Sequence, residues 1–168
     1  MKKLLIALIF VLVVSLSLTG CGLTVPRPEV KEGEFDFSVT YEVDGKINTV
    51  SGVYVCKYEG VDWALDGGYH RDWSGYIKDG RTEDLIEIGT TDDGGVIKLD
   101  LDLYADYFMG DTGSYEEYAS VPTLTVVFVK GEEIAIQNDA AVIEELYGAR
   151  IISYKYDAPI KNSFGLFK

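Results

Sequence analysis

Polar and apolar residues alternate along most of this chain. Phe35, Phe37, Val39, Tyr41 and Val43 are separated by Asp36, Ser38, Thr40 and Glu42, the period-two pattern of a strand with one buried face and one wet face. Asp44-Gly45 follows, a pair suited to the two-residue turn of a hairpin. The returning strand is expected over Ile47 to Tyr58, with Gly52 as a bulge or bend. A second hairpin is predicted from Leu85 to Ile88, a turn over Thr90-Thr91-Asp92-Asp93-Gly94-Gly95, and a strand from Val96 to Leu103. In that strand Ile97, Leu99, Leu101 and Leu103 point one way, and Lys98, Asp100 and Asp102 the other. A third pair covers Thr123 to Lys130 and Glu133 to Gln137, around Gly131-Glu132.

The period changes once. Asn138 or Asp139 can cap a helix whose apolar stripe is Val142, Ile143, Leu146 and Tyr147, and Gly148 suits the position just past its end. A closing strand is predicted from Arg150 to Tyr156, before Pro159. Seven or eight strands and one helix imply a single mainly β domain over residues 35–168. The expected architecture is an antiparallel β-sandwich or partly open barrel with one short C-terminal helix (about 139–147).

The first twenty residues follow a different grammar. Lys2 and Lys3 precede an apolar run from Leu4 to Val14, which gives way to Ser15, Ser17, Thr19 and Gly20. A positive start, a short apolar centre and small residues at the end make a secretory signal. The run falls short of the roughly 20 apolar residues that a membrane-spanning helix needs. Leu18-Thr19-Gly20-Cys21 resembles the lipobox of bacterial lipoproteins at all four positions. The resemblance implies that residues 1–20 are removed, that Cys21 carries a diacylglyceryl group on its sulfur, and that the new amino terminus is acylated too. The protein would then be extracytoplasmic and lipid-anchored in the bacterial cell membrane, with 21–34 as a lipidated tether. Pro26, Pro28 and the charges between Gly22 and Glu34 have the composition of an extended spacer. The alternative is an ordinary cleaved signal with a free cysteine nearby. In length and layout the remainder is similar to small bacterial surface lipoproteins, a likeness that carries no activity with it.

Charge narrows the choice of partners. The chain has 15 basic and 28 acidic residues, a net charge of −13; loss of Lys2 and Lys3 with the signal makes it −15. Such a surface repels phosphate backbones, which argues against nucleic acid. With Cys21 acylated, Cys56 is the only other cysteine, so no internal disulfide forms. Its setting in Val53-Tyr54-Val55-Cys56 predicts a buried, inert thiol.

Three stretches offer candidate chemistry. Gly110-Asp111-Thr112-Gly113-Ser114 resembles the Asp-Thr-Gly-Ser signature of aspartic proteases, in which two aspartates share a proton. One copy of the motif would require a dimer, and Gly110 departs from the aliphatic residue the family places there. The plain reading of the same residues is a turn. The second stretch, Trp63 to Tyr76, holds both tryptophans and the sole histidine. Trp63, Tyr69, His70, Trp73 and Tyr76 are candidates for a glycan-binding groove, because sugar faces stack on aromatic rings; core filling is the competing explanation for the tryptophans. His70 with Asp72 suggests a base and an orienting carboxylate, with Ser74 or Cys56 as nucleophile, but no motif supports either. Third, Asp100, Asp102 and, if the strand continues, Asp106 would line one face near Asp92-Asp93, offering oxygen ligands for weak calcium binding. No other cofactor is implied.

The expectation is therefore a non-enzymatic binding or interaction module at the cell envelope, with a protein or glycan ligand and the membrane as partner through its lipid. The alternatives are an envelope hydrolase acting through Asp111 in a dimer, and a purely structural assembly component.

Overall fold

A computed structural model describes residues 25–63, 68–80, 85–111, 120–131 and 133–165. The chain runs through β1 (Arg27–Pro28), β2 (Glu32–Val43), β3 (Lys46–Trp63), β4 (Tyr69–Ile77), β5 (Leu85–Thr90), β6 (Val96–Asp100), α1 (Ala105–Phe108), β7 (Thr123–Lys130), β8 (Glu133–Gln137), α2 (Ala140–Tyr147), β9 (Arg150–Tyr156) and β10 (Phe164–Gly165). Two four-stranded antiparallel sheets, ordered β4-β3-β2-β9 and β5-β6-β7-β8, share one core, and β1 pairs with β10 as a small third sheet. The architecture is mainly β and sandwich-like, as the alternation predicts.

The β2–β3 hairpin closes on Asp44 and Gly45, both with positive φ (52° and 71°), the backbone that matches the twist of the flanking strands. Asp139 caps α2 by accepting hydrogen bonds from the amides of Ala141 and Val142, which satisfies two donors at the helix start. Of the expected stripe Ile143 is buried and Val142 and Tyr147 are half-buried, but Leu146 faces solvent.

Alternating residues of the first sheet (Phe35, Phe37, Val39, Tyr54, Cys56, Ile77) meet those of the second (Ile97, Leu99, Leu124, Val126) in one cluster. Phe108 of α1 is fully buried there, its ring centroid 4.9 Å from that of Phe35 and 5.6 Å from that of Tyr54. Two tyrosines of the first sheet also bond to the segment leaving β6: Tyr54 donates to the Leu103 carbonyl (2.9 Å) and Tyr156 to that of Leu101 (2.6 Å). The hydroxyls thereby satisfy buried carbonyls that no strand pairs.

Several boundaries differ from expectation. The strand expected to begin at Phe35 starts at Glu32, and the preceding residues are already docked: Arg27 and Pro28 pair with Gly165 and Phe164, the Glu29 amide donates to the Ser163 carbonyl (2.8 Å), and the Asn162 side chain bonds both backbone groups of Val30. Gly52 sits in regular register opposite Phe37; the shift in β3 falls between Tyr58 and Gly60 instead. β6 stops at Asp100, whose side chain accepts the Asp102 amide while Asp102 takes a positive φ of 54°. That local bond turns the chain into α1, a helix the alternation conceals, although Leu101 and Leu103 remain buried.

Past α1, Gly110 has φ +67°, and a Cβ there would lie 2.3 Å from the Ile160 carbonyl oxygen. Gly45 shares the backbone sign but a Cβ would meet nothing within 4 Å. Gly45→Ala should therefore cost only the ~1–2 kcal/mol of a left-handed residue, and Gly110→Ala clearly more, because backbone must also move. Urea unfolding of the two variants checks this, and equal losses would contradict it.

Candidate functional site

Arg71 and Trp73 are two residues apart on β4 and so point to the same face. Both reach Asp111, which the Gly110 turn brings back against the sheet. Arg71 Nε donates to Asp111 Oδ2 (2.5 Å), its Nη2 donates to Oδ1, and Trp73 Nε1 donates to Oδ2 (2.7 Å). The Arg71 and Asp111 side chains are 19% and 8% exposed. A bidentate Arg–carboxylate pair of this kind is short, directional and largely out of water, and removing one member of such a pair costs about 3–5 kcal/mol.

The same guanidinium holds both ends of the folded chain. Its Nη1 donates to the Pro26 carbonyl (3.1 Å), and its Cζ lies 4.2 Å from the ring centroid of Phe164. One side chain thus joins β4, the turn after α1, the N-terminal strap and β10.

Beside this clasp lies a cleft of about 340 Å³, lined by Tyr54, Arg71, Trp73, Tyr104 and Asp106, among others. Its size is at the small end of ordinary ligand sites, which run from ~300 to 1,000 Å³. Aromatic walls with a carboxylate suit a small polar ligand that has one flat apolar face.

The structure divides the five residues expected to form a groove. Trp73 is half-buried, committed to Asp111 and packed edge-on against Tyr58, with centroids 5.3 Å apart. Trp63 and Tyr69 lie opposite each other at the far end of β3–β4, 52% and 48% exposed. His70 and Tyr76 occupy the alternate positions of β4 and project from the other side of the sheet. A single five-residue groove is therefore not formed. The cleft takes Trp73 from that set and adds Tyr104 and Asp106, which the sequence reading assigned to no ring-lined site; both lie past the strand expected to end at Leu103, where the alternation gives no sign of a helix.

The other candidates also have defined places. Ser74 Oγ donates to Glu59 Oε1 (2.7 Å), and His70 lies four residues back along β4. Asp111 is described, whereas Thr112, Gly113 and Ser114 lie outside the described residues. The three candidate calcium ligands do not line one strand face, because β6 ends at Asp100 and Asp106 is already in α1; among the described residues no three His, Cys, Asp or Glu side chains gather as a metal site. At the opposite end of the sandwich a cleft of about 450 Å³ is lined by Asp44, Asp92, Asp93 and Tyr147, but Asp93 is engaged by Thr91 Oγ1 within its own turn (2.5 Å).

Comparison with known protein families, with curated proteins and with solved structures finds no match to this chain.

Cys56 is fully buried. Burial first, and repulsion from Asp106 second, push its thiol up to about 12, so it holds its proton at neutral pH and is a poor nucleophile. An unfolded thiol ionises near ~8.5. Above that pH the unfolded chain sheds a proton that the folded chain keeps, so this group's contribution is complete below about pH 8.5 and declines as pH rises toward 12. Stability measured between pH 8 and 11 should fall more steeply for the wild type than for Cys56→Ala; parallel profiles would contradict the assignment.

Proposed function

We propose that the protein is a lipid-anchored module of the bacterial cell surface that recognises an envelope glycan and does not transform it. The observation that carries the reading is the cleft beside the clasp, where Trp73 and Tyr104 stand with Asp106. Rings take the apolar face of a sugar and carboxylates take its hydroxyls. The negative charge of the chain disfavours a polyanionic ligand.

The candidate acid Asp111 and the candidate nucleophiles Cys56 and Ser74 are engaged or buried. Aspartic protease chemistry needs carboxylates facing each other across a shared proton. Both oxygens of Asp111 instead accept hydrogen bonds from Arg71 and Trp73. Cys56 is buried and protonated, and Ser74 is bonded to Glu59. The anchor itself rests on the resemblance of Leu18-Thr19-Gly20-Cys21 to a lipobox.

A role as an assembly component has one observation in its favour. Val129 and Ile134 face each other across β7–β8, with Ile136 beside them, all largely exposed next to the open edge of β8. Exposed edges with apolar residues are where chains pair.

The cleft is tested with Trp73 as the sole reporter. The chain has two tryptophans, so a Trp63→Phe background isolates it. Its emission should change on adding soluble cell-wall polysaccharide, and Tyr104→Ala should remove the response without lowering the melting temperature. An unresponsive Trp73, or a response indifferent to Tyr104, would sink the glycan reading.

A further inference from the structure

The N-terminal strap limits where the folded domain can sit. Pro26 is held at its carbonyl by Arg71, and β1 is already paired at Arg27. From Cys21 to Pro26 the chain advances five residues, which span at most ~18 Å when fully extended. If Cys21 carries lipid, as the proposed function assumes, its sulfur lies at the bilayer surface and the Arg71 region is held close above it.

The exposed aromatic pair lies just there. Tyr69 is two residues before Arg71 on β4, about 7 Å along the strand, and projects from the same face. Its cross-strand partner is Trp63, while Val61 is opposite Arg71. Val61, Trp63 and Tyr69 are all exposed, and they point to the side of the sheet on which Arg71 grips the strap. Asp62, His70 and Asp72 take the alternate positions and project from the opposite side.

Trp and Tyr favour the membrane–water interface, where an apolar ring meets headgroups and the polar edge stays wet. An amphipathic contact too weak to recruit a free protein becomes effective once a tether holds it at high local concentration. The net negative charge of the chain and the engagement of Arg71 by Asp111 weigh against attraction to anionic lipid, so the attraction is to the neutral interface. We infer that Val61, Trp63 and Tyr69 form a bilayer-contacting face that enters the headgroup region of the membrane carrying the Cys21 lipid and fixes the orientation of the domain. The Trp73–Tyr104 cleft, farther along β4, remains in water.

The test uses the full lipidated protein in phosphatidylcholine vesicles, with and without bromine on the acyl chains, after mass spectrometry of Cys21. Brominated lipid should quench the wild-type tryptophan emission, and Trp63→Phe should abolish the quenching while leaving the emission of Trp73. Trp63 is exposed, so this variant keeps its fold. Lipidated protein with unquenched Trp63 would overturn the inference while the anchor stands, and so would a Trp63 that answers to soluble wall polysaccharide but not to brominated lipid. An unmodified Cys21 would overturn the anchor reading and this inference with it.

Discussion

Asp111 accepts two hydrogen bonds from Arg71 and one from Trp73, and four distant parts of the chain depend on that contact. β4 supplies both donors, the turn after α1 supplies the carboxylate, Pro26 brings the N-terminal strap, and Phe164 brings the C-terminal strand. A charge with so little exposure is tolerable only while its partner is present, so the geometry of all four is coupled. Asp111 also fixes the Trp73 wall of the cleft, and Arg71 fixes where the strap leaves the body.

This coupling gives the two halves of the functional account a common origin. The strap attaches at one side chain, so a lipid at Cys21 would draw the Arg71 end of the domain to the bilayer and bring the Trp63–Tyr69 pair with it. The Asp44 turn lies at the other end of β3 from Trp63, and Asp92-Asp93 line a cleft with it, which would keep that end of the sandwich away from a lipid surface. Tethering, orientation and ligand access would all be set by a few contacts around one guanidinium.

Alternation made much of the fold legible. Phe35 to Val43, Thr123 to Gln137 and the Asp139-capped helix announce themselves through local patterns, because each element buries one face and ends on a residue with a specific backbone need. Legibility failed where a side chain acts on distant backbone. Nothing near Asp100 in the alternation reveals that its carboxylate captures the Asp102 amide and ends the strand, which hid α1 and with it the place of Asp106. Pro26 and Pro28 read as spacer because their partners, Arg71 and Phe164, are far along the chain. Asp111 stood out for its resemblance to a catalytic motif, yet its role depends on Arg71, 40 residues earlier. The Trp63–Tyr76 stretch stands out for its aromatic residues, but they divide between two faces of β4 and one of its tryptophans serves the clasp.

The most direct test of the clasp is amide hydrogen exchange at Glu29, which donates to Ser163, in the wild type and in Arg71→Met under conditions where both are folded. Docking of the strap by Arg71 predicts slow exchange in the wild type and an approach to free-chain rates in the variant, with the β2–β3 amides still protected. A Glu29 amide that exchanges as free chain in the wild type, or one equally protected without Arg71, would contradict it.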